Sequence, residues 1–364
     1  MPLKFKSFLQ AKPVYKGGKS KPTAKDGQKI HKLSSNENML GSSPKAMAAI
    51  QEQVGKLNEY PDYNDTKFRQ ALEKFYEGKL QANQFITTNS GVANIELITR
   101  AFLEEGTECI FSNPAFGPYR GFPKKVGATS IDVPLIGPNF QLDVQGILAA
   151  INEKTRLVFV TNPNNPTGTH LPKAQIDALV DGLPDHVVLL YDEVYYQYVE
   201  ATDYVRAFTY VQAGKNVIGI NSFSKAYGLA GLRVGYAYST PEIAAYLQQL
   251  RRPFMINSLS MHAAIAALED TEFIQRTVTL IHQEKTYLYA ELDQLDIDYW
   301  QTQANFLLIK PNMDTNLFEA QMLEKGIMIR QAASFGAPGC VRVTIGTREA
   351  NAAFLAALQQ ILDA

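Results

Sequence analysis

The sequence predicts an α/β fold, in which a large domain with a mostly parallel β-sheet covered by helices precedes a smaller α+β domain. The chain has 364 residues, more than the ~250–300 over which one hydrophobic core usually grows. Strand-like and helical segments alternate up to Thr240, as they do in βαβ units, and longer helical stretches follow. We therefore expect residues 41–240 to form the large domain and residues 241–364 the small one.

Four strand-like runs predict the parallel sheet. They are residues 109–111, 157–160, 187–190 and 217–220, and a helix is expected at residues 173–183. The second and third runs read Leu-Val-Phe-Val and Val-Val-Leu-Leu, without a polar residue. Strands that are apolar on both sides are covered by helices on both sides.

An arm and several helices are expected before this sheet. Residues 1–40 are assigned to an N-terminal arm because most of them are polar and rich in Lys, Gly and Pro. A helix is expected to begin at Pro44, with Ser43 as its N-cap. Apolar residues at helical spacing predict two more helices, at residues 66–76 and 93–103.

The small domain is predicted from a different order of elements. Helical patterns cover residues 241–251 and 259–291, a second helix pattern covers 317–325, and strand-like runs lie at 306–309 and 341–345. Helices and strands that are not strictly alternating favour an α+β arrangement.

Composition and charge argue against several classes of protein. The formal net charge is −1, which argues against nucleic acid or an anionic membrane as the partner. No apolar run approaches the ~20 residues that cross a bilayer. Two cysteines, far apart, fit a reducing cytoplasm, and five scattered histidines indicate no metal site. We expect a soluble, cytoplasmic enzyme.

Polar segments follow three of the strand-like runs, and we expect them to form one ligand site. Residues 161–168, 191–195 and 221–235 each come directly after a run. In open parallel sheets, ligands bind beyond the carboxyl ends of the strands.

Lys225, in the last of these segments, is the most informative residue of the chain. Ser222, Ser224 and Arg233 lie near it, and no carboxylate occurs within seven residues. A lysine amine forms Schiff bases with carbonyl groups, while hydroxyls and a guanidinium hold a phosphate monoester. A carbonyl and a phosphate on one small molecule indicate pyridoxal 5′-phosphate as the cofactor.

Residues after the other two strands suit the same cofactor, although each also has an ordinary structural interpretation. Asp192 would keep a pyridine nitrogen protonated, or would cap a helix or pair with a structural cation. Asn165 would donate a hydrogen bond into the cleft, or would belong to a simple turn. Tyr195 would reach the phenolic oxygen of the ring, or would pack in the core.

A helix start and an aromatic residue add to this set. Ser90, Gly91 and Val92 precede the helix at 93–103, where exposed N–H groups favour an anion or where Ser90 acts as an ordinary cap. Phe116 follows a strand-like run and would stack on a flat heterocycle or pack in the core.

Arg330 and Arg342 are candidates for binding an anionic substrate. Arg342 alternates with Val341 and Val343, so its side chain faces away from theirs. Two guanidiniums would suit a carboxylate or a phosphate dianion, although an isolated arginine is usually a solvated surface residue.

Taken together, Asn165, Asp192 with Tyr195, Lys225 and Arg233 resemble the signature of the fold-type I pyridoxal-phosphate aminotransferases. Over nearly its whole length the chain also resembles the histidinol-phosphate aminotransferase family. The supporting segments are residues 33–38, 59–62, 224–236, 303–306 and 339–347.

The resemblance implies a role for every candidate residue. Lys225 would hold the cofactor covalently, Asp192 would meet its pyridine nitrogen, and Tyr195 with Asn165 would meet its phenolic oxygen. The remaining cofactor contacts would come from Ser90, Gly91, Val92, Ser222, Ser224 and Arg233 at the phosphate and from Phe116 at the ring. The anionic end of the substrate would be bound by Tyr15, Asn38, Arg330 and Arg342. Tyr60 would reach the cofactor phosphate of a partner subunit, which implies a homodimer with shared active sites.

The activity implied is a ping-pong transamination, from histidinol phosphate as amino donor to a 2-oxo acid such as 2-oxoglutarate. The chain departs from the family at Met39, where proline is usual, and at Val92, where many members have an acid. Residues 331–339 are mostly small and uncharged, in a region where substrates are often selected. An aromatic or other amino acid aminotransferase, a phosphothreonine-type decarboxylase and a non-enzymatic cofactor-binding regulator stay open as alternatives.

Overall fold

The computed structural model describes Lys4, residues 6–9 and residues 29–363. Tyr15 lies outside the described residues. The helices are α1 (Pro44–Gln53), α2 (Thr66–Phe75), α3 (Gly91–Phe102), α4 (Pro118–Lys125), α5 (Val144–Ala150), α6 (Lys173–Gly182), α7 (Ala207–Gln212), α8 (Pro241–Leu250), α9 (Ser258–Leu268), α10 (Thr271–Gln294), α11 (Thr315–Glu324) and α12 (Arg348–Leu362). The strands are β1 (His31–Lys32), β2 (Phe85–Thr88), β3 (Glu108–Phe111), β4 (Thr129–Asp132), β5 (Thr155–Thr161), β6 (Val188–Asp192), β7 (Val217–Ser222), β8 (Gly235–Tyr238), β9 (Asp298–Trp300), β10 (Phe306–Lys310), β11 (Ile327–Met328), β12 (Arg330–Gln331) and β13 (Val341–Thr344).

The main sheet has seven strands among the described residues, in the order β2-β8-β7-β6-β5-β3-β4. Strand β8 runs antiparallel to both of its neighbours, and the remaining pairs are parallel. The predicted strands are therefore confirmed, each extended or shifted by a few residues. In the register, Thr161 lies opposite Asp192, so the carboxyl ends of β5 and β6 are side by side.

Helices cover both faces of this sheet, as the apolar runs predicted. Val158 and Val160 belong to one buried apolar cluster, while Leu157 and Phe159 belong to another on the opposite face. Because neither face is left to water, the polar groups of the strands concentrate at their ends.

The first helices begin at residues that satisfy their free N–H groups. Ser43 caps α1, its hydroxyl accepting from the Ala46 N–H, and Pro44 occupies the first helical position, which confirms both expectations. Helix α3 begins at Gly91, two residues before the expected start, because Ser90 accepts a hydrogen bond from the Ala93 N–H. Because α3 begins earlier than expected, its N-terminus, where backbone N–H groups are free, lies closer to the carboxyl edge of the sheet.

The C-terminal part of the chain has its own sheet and core. Among the described residues this sheet has four antiparallel strands, in the order β12-β13-β10-β9. Residues from β10, β13, α10, α11 and α12 share one buried apolar cluster. This is the α+β arrangement that the sequence predicted.

The long helical pattern at residues 259–291 is two helices rather than one. Helix α9 ends at Leu268, with Glu269 as its C-cap. Asp270 caps α10 by accepting from the Phe273 N–H, and the Ser43 hydroxyl donates to Asp270 at 2.6 Å. Helix α9 shares a buried cluster with α1, α2 and the main sheet. The domain boundary at 240/241 stays a prediction, and we propose that the packing divides the chain near Asp270 instead.

None of the helices in the described part of the chain has both the length and the apolarity needed to span a membrane.

Candidate active site

A cavity of about 260 Å³ lies beyond the carboxyl ends of β5, β6 and β7. Its walls come from the large domain, the small domain and the segment that precedes α1. The residues that line it include Ser34, Ser35, Asn36, Gly91, Val92, Phe116, Tyr119, Thr161, Asn165, Asp192, Tyr195, Ser222, Ser224, Lys225, Arg233, Arg330, Phe335 and Arg342.

Lys225 lies half-buried in this cavity, in the loop that follows β7. Its amine donates a hydrogen bond to the Ser35 carbonyl oxygen at 3.2 Å. Burial, followed by the nearby positive charge of Arg342, lowers the pKa of Lys225 to about 7. A substantial fraction of this amine is therefore neutral at neutral pH, which is the form that attacks a carbonyl carbon.

Asp192 ends β6 and is 4% exposed. Its carboxylate accepts hydrogen bonds from the Tyr119 hydroxyl at 2.6 Å and from the Val194 N–H at 3.2 Å. Burial raises the pKa of Asp192 to about 6, and these two hydrogen bonds oppose the rise. A buried carboxylate of this kind is suited to hold a cationic ring nitrogen.

Donors for a phosphate gather at one end of the cavity. Gly91 and Val92 line it from the start of α3, where N–H groups and the helix dipole favour an anion. Ser222, Ser224 and Arg233 line the same cavity, and Arg233 donates to the Ser224 hydroxyl at 3.4 Å. The arrangement combines backbone, hydroxyl and guanidinium donors.

Gly235 allows β8 and α3 to approach closely at this end of the cavity, because a larger residue would not fit between them. A Cβ atom at this position would lie 2.5 Å from the Gly91 nitrogen and 2.7 Å from the Ser90 carbonyl carbon. The close approach keeps the start of α3 against the end of β7.

Arg342 connects the small domain with the large one. It is 6% exposed, and it donates to the Asn165 side-chain oxygen at 2.6 Å and to the Ser34 carbonyl oxygen at 2.9 Å. Val341 and Val343, on either side of it, belong to the small-domain core. The alternation therefore orients Arg342 into the cavity, as predicted.

Arg330 and Phe335 line the cavity beside Arg342. Arg330 pairs with Arg342 across β12 and β13, which places both guanidiniums on one side of the small sheet. Both lie over the Phe335 ring, at 5.6 and 5.1 Å from its centroid. Two cations beside one aromatic ring form a site for an anionic group.

Tyr195 and Asn165 form the wall between the carboxylate and the arginines. The Tyr195 hydroxyl accepts from the Asn36 amide at 3.1 Å and from the Asn165 amide at 3.5 Å. Asn36 is buried in a left-handed conformation with φ 55°, which asparagine tolerates better than most residues.

Three of the predicted residues that the structure describes are not brought into the cavity wall. Ser90 caps α3 immediately beside it. Tyr60 is 84% exposed, and its ring lies against that of Phe254, with a centroid distance of 4.9 Å and a tilt of 32°. Asn38 lies outside the cavity lining, because its amide donates to the Ala226 carbonyl and the Thr277 hydroxyl. Tyr15 lies outside the described residues.

Sequence reasoning missed several polar residues of the wall, among them Asn36, Tyr119 and Thr161. Thr161 is the last residue of β5, and the register opposite Asp192 would have identified it. Tyr119 lies three residues beyond Phe116, in the first turn of α4, and no sequence pattern assigns a partner to its hydroxyl. Asn36 belongs to a segment that carried the family resemblance but had no assigned contact.

Known proteins resemble this chain across almost its full length. The sequence matches the family described as aminotransferase class I and II over residues 28–358. A histidinol-phosphate aminotransferase of Moorella thermoacetica is 39% identical over 336 residues, which cover 92% of this chain and 86% of that protein. A histidinol-phosphate aminotransferase of Brevibacillus brevis is 36% identical over 353 residues, which cover 96% of each.

A solved structure extends the comparison to three dimensions. The crystal structure of histidinol-phosphate aminotransferase from Sinorhizobium meliloti in complex with pyridoxal 5′-phosphate superimposes with a TM-score of 0.84. The two chains are 25% identical, and the match covers 93% of this chain and 92% of that one. The fold-type I class that the sequence predicted is thereby confirmed.

Proposed function

Because this chain belongs to the class I and II aminotransferase family, we propose that it transfers the amino group of histidinol phosphate to 2-oxoglutarate. The enzyme is a pyridoxal-phosphate-dependent aminotransferase. One observation carries the choice of donor: two arginines, one of them buried, line the same cavity as the half-buried lysine Lys225. A phosphorylated amine needs an anion site and a nucleophilic lysine in the same cavity.

The residues of the cavity fit pyridoxal 5′-phosphate by the chemistry of their donors. We propose that the start of α3 and the side chains of Ser222, Ser224 and Arg233 hold its phosphate. Asp192 would meet the pyridine nitrogen, and Tyr195 with Asn165 would bind the phenolic oxygen.

Each of the protein's own groups then has a distinct task. When bound, the cofactor supplies a carbonyl that condenses with amines and a conjugated ring that accepts the electron pair of the substrate Cα–H bond. Lys225 would hold the cofactor, and its amine, once free, would remove the proton from the donor's α-carbon. A pKa near 7 suits a general base at neutral pH. Asp192 would keep the proton on the pyridine nitrogen.

Arg330 and Arg342 would bind the phosphate of the donor. The Phe335 ring beside them lowers their access to water, which strengthens their attraction for a dianion. The same guanidiniums would bind the carboxylate of the 2-oxo acid in the second half of the reaction. We propose no substrate contact for Asn38, whose amide is held by Ala226 and Thr277.

We also propose that the enzyme is a homodimer with shared sites. Tyr60 is 84% exposed, and Tyr63 and Phe254, at 54% and 41%, lie against one another beside it. An exposed aromatic group of this kind commonly marks a protein interface. Light scattering should give twice the chain mass of 40.4 kDa. A monomer at micromolar concentration would contradict the dimer and leave the donor assignment untouched.

A panel of amino donors with 2-oxoglutarate as acceptor tests the proposed substrate. Initial rates should be measured with histidinol phosphate, histidinol, phenylalanine and aspartate. Histidinol is the matched control, since it lacks only the phosphate. We expect kcat/KM for histidinol phosphate to exceed that of every other donor by roughly 100-fold or more. A preference for phenylalanine or aspartate would refute the proposal.

A further inference from the structure

We infer that Tyr119 is a positioning residue that keeps the carboxylate of Asp192 charged and in one orientation, and that Thr161 acts through Tyr119. The inference rests on the proposed function, since it concerns the carboxylate that would hold the pyridine nitrogen.

The three side chains form a continuous chain of hydrogen bonds. The Thr161 hydroxyl donates to the Tyr119 hydroxyl oxygen at 2.8 Å, and the Tyr119 hydroxyl donates to Asp192 Oδ2 at 2.6 Å. All three are buried: Thr161 is 7% exposed, Tyr119 2% and Asp192 4%. At the remaining carboxylate oxygen, the Val194 N–H donates to Oδ1 at 3.2 Å.

The donor-to-acceptor direction of these hydrogen bonds favours the charged form of the Asp192 carboxylate. Because Thr161 donates to the Tyr119 oxygen, the Tyr119 proton is directed towards Asp192. An ionised carboxylate accepts such a bond, and a donor held in place stabilises the ionised form. Burial, together with the charge of Asp192, raises the pKa of Tyr119 well above its ordinary value, so Tyr119 stays a donor at working pH.

Packing fixes the position of the tyrosine. Its ring stacks on Phe159 with a centroid distance of 5.2 Å and an interplanar angle of 23°, and it meets Phe116 edge-on at 5.8 Å. Thr161 is fixed independently, because strand pairing places it opposite Asp192. The donor chain therefore does not depend on the mobility of a loop.

The surroundings of Asp192 make its protonation sensitive to the hydrogen bond from Tyr119. Burial is the main influence on the pKa of Asp192 and raises it to about 6, and Glu193 adds to the rise. The hydrogen bonds from Tyr119 and Val194 and the charge of Lys225 oppose it. Without the Tyr119 hydroxyl, the carboxylate would take up a proton more readily, and the pyridine nitrogen would carry less positive charge.

A pH titration of the absorbance of the lysine-bound cofactor tests the inference. The holoenzyme forms needed are wild type, Tyr119→Phe, Thr161→Val and the double variant. With less positive charge on the ring nitrogen, the chromophore takes up its proton more easily. We expect the titration midpoint of Tyr119→Phe to rise by roughly half a pH unit or more. We expect its kcat to fall about tenfold with little change in KM.

Tyr191→Phe is the matched control. Tyr191 is also fully buried, and its hydroxyl is hydrogen-bonded to Asn162 and to the Val205 carbonyl, away from the cavity. Its loss should lower stability and leave the titration midpoint unchanged. A general loss of fold stability would instead shift the titration midpoint in both Tyr119→Phe and Tyr191→Phe.

Thr161→Val keeps the inference falsifiable if Tyr119→Phe fails to fold. Thr161→Val should raise the midpoint in the same direction by a smaller amount, and in the double variant it should add nothing to Tyr119→Phe. Wild-type midpoints in both single variants, or additive shifts in the double variant, would overturn the inference. An enzyme that shows these shifts but rejects histidinol phosphate would overturn only the proposed donor.

Discussion

Replacement of Arg342 by alanine should remove most of the preference for a phosphorylated donor. Arg342 is 6% exposed, and the rings of Phe306 and Phe335 lie 5.3 and 5.1 Å from its guanidinium carbon. A charge-assisted hydrogen bond in such surroundings contributes about 1.5–3 kcal/mol. Its loss corresponds to roughly a 10- to 150-fold fall in kcat/KM for histidinol phosphate.

The ratio of two donors isolates the phosphate from the other effects of this substitution. Without Arg342, the Asn165 oxygen and the Ser34 carbonyl lose a donor, which should slow the reaction of every substrate. Histidinol and histidinol phosphate share that loss, so the ratio of their kcat/KM values reports the phosphate contact alone. Arg342→Lys should fall between wild type and alanine, because it keeps the charge and loses the forked geometry.

Arg348→Ala is the matched control, since Arg348 also belongs to the small domain but pairs with Glu284. The ratio of kcat/KM for histidinol phosphate to kcat/KM for histidinol should be the same in Arg348→Ala as in wild type. A ratio in Arg342→Ala within about twofold of wild type would show that the anion binds elsewhere, and the assignment of this end of the cavity would be wrong.

Three other predictions concern the lysine and the phosphate end. Lys225→Ala should lower turnover on the order of 10³-fold or more while the cofactor still binds in equilibrium dialysis, and full activity would exclude its proposed role. Because burial lowers the pKa of Lys225 from 10.5 to about 7, the unfolded apoprotein binds more protons than the folded one between these values. Urea unfolding of the apoprotein should therefore show stability rising with pH across that range, and the Lys225 contribution to this rise should be missing in Lys225→Met. Gly235→Ala should cost about 1–3 kcal/mol in urea unfolding and weaken cofactor binding, whereas Gly231→Ala, with open space around it, should change neither.

The sequence predicted that several polar groups lie together because they follow the ends of parallel strands. The exits of β5, β6 and β7 must meet at one edge, so Asn165, Asp192 and Lys225 could be placed together from their order alone. Hydrophobic patterns also located the strands, since burial on both faces leaves a clear signal.

Other contacts depend on geometry that a linear pattern does not contain. Asn38 and Asn36 are two residues apart in similar surroundings, yet Asn36 faces Tyr195 because the backbone turns at φ 55°. The break after α9 depends on Asp270, which caps α10 while Ser43, over two hundred residues earlier, donates to it. Helical periodicity continues through such a position because one acidic residue does not interrupt the apolar spacing.

The division of the site between two domains separates the chemistry from the choice of substrate. The large domain carries the lysine, the carboxylate and the phosphate donors, whereas β12 and β13 of the small domain carry both arginines. Substitutions around Arg330 can therefore alter the donor without disturbing Lys225. Arg342 is the exception, since its guanidinium also holds Asn165, and Asn165 bonds the Tyr195 hydroxyl. Replacement of Arg342 should therefore impair both anion binding and the proposed contacts of Asn165 and Tyr195 with the cofactor. Replacement of Arg330 should impair anion binding alone.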